Sequence, residues 1–247
     1  MSAFSRRQVL VGTAIGLAGT VLPAITAQGA KASGVTDHHL LESLQACTPK
    51  DALTRLQDGN ARFAKAWSAA RGGTSQQRMQ QMAAIWQDNC QIDPEALALG
   101  QKPFAAVLSC ADSRVDPGWV FACASGELFQ VRSAGNTAFD DAIASLEYGV
   151  AVLGTSLVVV MGHSGCGAVK AALASDPLTP LLEELVKPIR ARLTSGDHLS
   201  QAIQGNARYA AAQLTARRDV LKTAVNAGKL LIRSAYFEIG SGVVRWL

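Results

Sequence analysis

The sequence predicts an α/β fold, a parallel sheet covered on both faces by helices. Two observations carry this. From Phe104 onward, short apolar runs rich in β-branched residues alternate with helical segments, the pattern of βαβ units. Two of those runs end in clusters of Cys, His, Asp and Arg. Open α/β sheets form their sites beyond the carboxyl ends of strands, where strand order reverses.

The chain opens differently. Ser5-Arg6-Arg7-Gln8-Val9-Leu10 is a twin-arginine pattern, followed by an uncharged Gly/Ala-rich apolar run to Pro23. Small-residue exits lie between Ala27 and Ala32. Residues 1–32 read as a twin-arginine export signal, with a periplasmic or otherwise exported destination and the export machinery as a partner of the precursor. The other reading, a membrane anchor, requires the run to cross a core of ~30 Å, for which it is too short and weak.

Residues 33–99 read as a mostly helical N-terminal arm, and 100–247 as the α/β core. Thr48-Pro49-Lys50-Asp51 has the form of a helix start, with Thr48 as cap. Leu53, Leu56, Phe63 and Trp67 recur at helical spacing. Arg71 to Ser75 breaks that helix, and Met79, Met82 and Trp86 then mark one face of another, a core or interface stripe.

In the core, Phe104–Ser109, Leu128–Val131 and Leu157–Met161 read as strands, and Asp116-Pro117 opens a short helix. Thr137–Val152 is a helix, another starts at about Cys166, and more lie between Leu178 and Asn226. Leu230–Ile239 is a late strand, which Val243–Leu247 joins as a hairpin across Gly240-Ser241-Gly242.

Composition bounds the rest. With 49% hydrophobic and 17% charged residues the chain is a folded protein. The net charge is +4; residues 1–32 carry Arg6, Arg7, Lys31 and no acid, which leaves +1 for the remainder. That gives no case for nucleic-acid binding. No segment after the signal is apolar enough to insert stably in a membrane. The five cysteines are an odd number, so at least one is not in a disulfide.

The first strand runs into Cys110-Ala111-Asp112-Ser113-Arg114, and the third into Gly162-His163-Ser164-Gly165-Cys166-Gly167. If these strands are neighbours, Cys110 meets the His163-x-x-Cys166 pair. Two thiolates and an imidazole suit one zinc ion, with a fourth tetrahedral position for water as catalytic sites require. Asp112 and Arg114 form a second layer: the guanidinium keeps the carboxylate ionised and aimed at the metal water, or the carboxylate closes the site as a fourth ligand. Cys47, Cys90 and Cys123 show no metal spacing among themselves.

At these residues the sequence resembles the β-class carbonic anhydrases. The similarity runs through Gly59-Asn60-Ala61-Arg62-Phe63, Cys110–Val115, Gly126-Glu127-Leu128-Phe129, Val131-Arg132-Ser133-Ala134-Gly135-Asn136 and Gly162–Gly167; the family usually has Asn at the place of Ser133. The resemblance implies a Rossmann-like sheet of four parallel strands with an antiparallel fifth at the edge. It implies one Zn2+ per chain on Cys110, His163 and Cys166. It also implies a homodimer or tetramer, with N-terminal helices wrapping the partner and active sites at the dimer interface. Gln101, Phe129, Tyr148 and the Gly167 N–H match the family's substrate contacts, and Gln101 resembles a marker of the constitutively open type.

The expected reaction is the reversible hydration of CO2 to bicarbonate and a proton by zinc-bound hydroxide, with Asp112 accepting its hydrogen and Arg114 fixing Asp112. Two rivals stand beside it. One is a carbon disulfide or carbonyl sulfide hydrolase on the same scaffold. The other is a non-catalytic zinc-stabilised interaction module, closed by Cys123 or Asp112.

Overall fold

Strands of small and β-branched residues set the middle of the sheet. β1 (Ala105–Cys110) and β3 (Leu157–His163) are buried along their whole length, as strands covered on both faces must be. They pair in parallel, Ala105 opposite Leu157 and Ser109 opposite Met161. β2 (Leu128–Ser133) flanks β1 in parallel, and β4 (Leu231–Glu238) flanks β3 in parallel. β5 (Val243–Trp246) closes the edge antiparallel to β4. The order is β2-β1-β3-β4-β5: four parallel strands and an antiparallel edge strand, as the resemblance implied.

This architecture comes from a computed structural model that describes residues 42, 44–86, 89–90, 92, 94–194, 196, 198–216 and 219–247. All of these belong to one unit, Val35–Leu247. The twin-arginine segment and its exits lie outside the described residues. Among the described residues no helix is long and apolar enough to cross a membrane.

Helices cover both faces. α1 (Ala52–Ala69) lays Leu56, Phe63 and Ala66 on the face formed by Ala105, Val107, Leu157, Val159, Met161 and Phe237. After it come α2 (Ser75–Ala83), α3 (Pro94–Leu99) and α4 (Pro117–Val120). The other face, Ala106, Leu108, Val158 and Val160, is covered by α5 (Asp140–Ala151), which brings Ala142, Ile143 and Leu146. α6 (Gly167–Leu173) and α7 (Pro180–Arg190) lead to α8 (Leu199–Ala216), whose Ala210 and Leu214 join that face, and to α9 (Asp219–Asn226).

One expectation for the arm changes. The cap of α1 is Asp51, whose Oδ1 accepts the Thr54 N–H at 2.6 Å, and not Thr48. The Thr48 N–H instead bonds the Gln45 carbonyl and ends the preceding turn. A carboxylate one residue before the helix satisfies a free N–H and faces the positive dipole end. The Met stripe splits, with Met82 buried and Met79 67% exposed. α2 is capped by Thr74, whose side chain and that of Gln77 each bond the other's backbone N–H.

The arm is tied to the core by polar groups. Asn60 Nδ2 donates to the Val120 and Gly242 carbonyls at 3.0 and 2.9 Å, and its Oδ1 accepts the Val244 N–H at 2.8 Å. Arg55 pairs with the buried Glu127 at 3.1 Å. Cys47 and Cys90 form a disulfide, a pairing that spacing alone did not indicate. Gly59 makes the docking possible, because a Cβ there would lie 1.9 Å from the Phe121 carbonyl oxygen. Gly59→Ala should therefore destabilise the fold by about 1–3 kcal/mol, read as a lower denaturant midpoint; an unchanged midpoint would mean that α1 does not approach the Phe121 backbone this closely.

Candidate metal centre

The strand order creates the site. The chain goes from β1 outward to β2, then crosses back to β3 and on to β4, so order reverses between β1 and β3. The carboxyl ends of these two neighbours carry Cys110 and His163. After His163 the backbone turns through Gly165 at φ +71°, and Cys166 occupies the N-cap position of α6. The ligand atoms of Cys110, His163 and Cys166, all buried, lie within 4.8 Å of one another.

His163 is fully buried. Its Nδ1 is 3.1 Å from the Ser164 carbonyl, which requires the proton on Nδ1 and leaves a lone pair on Nε2. Nε2 has no hydrogen-bond partner. A buried nitrogen without a hydrogen-bond partner beside two sulfurs fits a metal ligand.

The sulfurs point the same way. Cys110 is pulled down to about 4, first by the Cys166 thiol, then by His163 and the Gly135 N–H, against the opposing effect of burial. Cys166 is pushed up by Cys110 and by burial. Two sulfurs this close and this buried oppose each other's ionisation, and a divalent cation is what allows both to ionise. Two thiolates and a neutral imidazole fit zinc.

Asp112 stands at the mouth. Its Oδ1 accepts the Arg114 N–H at 3.0 Å and Nε–H at 2.9 Å, and its Oδ2 accepts from the terminal guanidinium nitrogen at 2.7 Å. Arg114 holds the carboxyl well below the usual carboxylate range, so Asp112 stays ionised. Oδ2 lies 3.8 Å from His163 Nε2, and it keeps accepting capacity toward the cluster.

The reading from sequence missed Arg132. Its Nε donates to the Cys110 carbonyl at 3.3 Å, and a terminal nitrogen donates to the Asp112 and Val115 carbonyls, both at 2.8 Å. One guanidinium thus straps the loop that carries Cys110 and Asp112. Arg132 stood inside a family motif, but nothing in its spacing assigned it this contact. Ser133, where the family usually has Asn, also finds a role: its hydroxyl bonds Thr137 Oγ1 at 3.1 Å and closes the turn after β2.

Not every expected residue reaches the cluster. Gly167 follows Cys166 directly, exposed at the first position of α6. Gln101, Phe129 and Tyr148 do not approach within this chain. Phe129 lies opposite Ala106, while Ser133 lies opposite Cys110. Four residues of strand separate the two levels, roughly 13 Å. Tyr148 packs beside Phe129, ring centroids 6.1 Å apart, and Gln101 precedes the amino end of β1. All three belong to the opposite end of the sheet from the sulfurs.

The carbonic anhydrase family model matches residues 105–244, more than half of the chain and all three candidate ligands. The chain belongs to the β-class carbonic anhydrase family. It is thereby a carbonate dehydratase. It is 36% identical over 155 residues to carbonic anhydrase 2 of Mycobacterium tuberculosis, covering 59% of this chain and 75% of that protein. To a carbonic anhydrase of Mycolicibacterium smegmatis it is 31% identical over 205 residues, 79% and 92% of the two chains. The solved β-carbonic anhydrase CafA of Aspergillus fumigatus superposes with a TM-score of 0.58 at 26% identity, over 62% of this chain and 79% of that one.

Cys123 is not drawn into the centre. It is buried against the α1 face of the sheet, its thiol donates to the Phe121 carbonyl at 3.5 Å, and burial pushes it up to about 12. Metal titration should therefore find one zinc per chain in the wild type and in Cys123→Ser. Cys110→Ser and Cys166→Ser should lose at least about tenfold in zinc affinity. Loss in Cys123→Ser as well would put a third sulfur on the metal.

Proposed function

We propose that the protein catalyses the zinc-dependent, reversible hydration of CO2 to bicarbonate and a proton. The observation that carries this is an ionised Asp112, locked by Arg114, with its Oδ2 beside the buried Cys110–His163–Cys166 set. Cys110, His163 and Cys166 would hold the zinc. Bound zinc supplies the Lewis acidity that makes hydroxide available near neutral pH.

The chain's own groups do the rest. Asp112 can only accept, since it is ionised, so it would accept a hydrogen bond from the attacking oxygen, whose proton stays in place, and turn a lone pair toward the carbon. Arg114 occupies Asp112 from the solvent side and prevents it from rotating. The Gly167 N–H, at the first position of α6 beside Cys166, would donate to an oxygen that gains charge.

The apolar part of the pocket comes from a second copy in this reading. Gln101, Phe129 and Tyr148 lie far from the sulfurs of their own chain, and Tyr148 is 46% exposed. A homodimer with shared active sites, alone or doubled into a tetramer, brings these three groups of one copy to the zinc of the other. We place the mature protein outside the cytoplasm. The twin-arginine pattern of Arg6 and Arg7 supports this, and so does the Cys47–Cys90 disulfide, since disulfides persist in oxidising compartments.

A stopped-flow assay on zinc-loaded protein, with carbon disulfide as a parallel substrate, tests the reading. CO2 should be hydrated and carbon disulfide should not be turned over appreciably; the reverse would move the assignment to the sulfur substrates. Asp112→Asn should keep its zinc but lose turnover by roughly 100-fold. Full activity in that variant would remove Asp112 from the mechanism.

A further inference from the structure

The turn after β2 is held from several directions at once. Gly135 sits in the turn Ala134–Asn136 at φ +72°. A Cβ there would lie 2.8 Å from Ile189 Cδ1 and 3.0 Å from Ala168 Cβ, so α7 and α6 close directly on it. From α8, the amide Nδ2 of Asn206 donates to the Gly135 carbonyl at 2.8 Å. The Ser133–Thr137 bond closes the near flank. On its other side the Gly135 N–H donates to Cys110 Sγ at 3.3 Å.

Asn206 is 4% exposed, and its bond joins residues 71 apart in sequence. Burying an amide is costly unless it is bonded, and an apolar residue of similar size would fill a helix–helix space without that cost. What the amide adds is direction. Glycine is the residue least able to hold its own φ and ψ. With its carbonyl pinned, rotation of the Gly135 N–H is restricted too, and that N–H ends on a ligand sulfur. A hydrogen bond to a thiolate withdraws electron density from it and fixes its orientation, as outer hydrogen bonds do for metal ligands in general.

We propose that Asn206 is a positioning residue of the metal centre: it holds the Gly135 carbonyl so that the Gly135 N–H stays aimed at Cys110 Sγ, and thereby sets the geometry and donor strength of that ligand. The inference rests on the reading of Cys110, His163 and Cys166 as a metal site. It assigns the α8 helix, which supplies no ligand, a direct influence on one.

Cobalt(II) is the probe, because thiolate-to-cobalt charge-transfer absorption reports how strongly sulfur donates. In the full-length protein loaded with cobalt, Asn206→Leu should move that band to longer wavelength and change cobalt affinity by roughly tenfold. Asn60→Leu removes equally buried hydrogen bonds under α1, so it should lower thermal stability and leave the band in place. A folded Asn206→Leu protein with the wild-type spectrum overturns the proposal. If that variant does not fold, Asn206→Ala, which also removes the donor to the Gly135 carbonyl, replaces it with the same expected shift of the band, and a wild-type spectrum in that variant overturns the proposal. Wild-type protein that shows no charge-transfer band with cobalt would instead overturn the metal reading itself.

Discussion

Parallel pairing of β1 with β3 is the constraint on which the rest depends. Each strand is a run of mostly apolar residues, many small or β-branched, buried on both faces, and their register sets Ser109 opposite Met161. Because the strands run in parallel, the residues that end them emerge at the same edge. Because strand order reverses between β1 and β3, these ends lie at the point where open α/β sheets form their sites. Cys110 and His163 are therefore brought together by backbone hydrogen bonds, and Cys166 by one glycine turn. The α1, α5 and α8 helices bury both faces of the sheet and fix this register, since a slip of one residue would send every inward side chain to the opposite face.

Electrostatics then turn a geometric cluster into a chemical one. Two buried sulfurs beside an imidazole with an orphan nitrogen cannot all be satisfied by one another. Each of the Cys110 and Cys166 thiols opposes ionisation of the other, and burial adds to that. Asp112 is prevented from relieving this by taking up a proton, since Arg114 holds it ionised with three hydrogen bonds. A soft divalent cation resolves all of these at once. Arg132 and the Gly135 N–H act on the same residues from outside, one on the loop carbonyls and one on the Cys110 sulfur.

What was legible in the sequence follows what is local or periodic. β1 and β3 showed as apolar runs because they are buried on both faces, and the ligand set showed because its members end those runs. β2 reads from its sequence only as far as Val131, since its partly exposed residues alternate with polar ones up to Ser133. Thr48 carries the local pattern of a cap, but the carboxylate of Asp51 is the group that accepts the free N–H. Asn206 had no local signal, since its partner is 71 residues away. Gln101, Phe129 and Tyr148 could be named by resemblance, but their distance from the sulfurs depends on strand register, which spacing along the chain does not encode. The Cys47–Cys90 pairing likewise depends on how the arm folds back on itself.

The central claim is that Cys110, His163 and Cys166 alone provide the protein ligands to one zinc ion. X-ray absorption at the zinc edge tests it most directly. The account predicts two sulfurs and one imidazole nitrogen, with the remaining coordination from light atoms. A third sulfur, or a shell without sulfur, would contradict it.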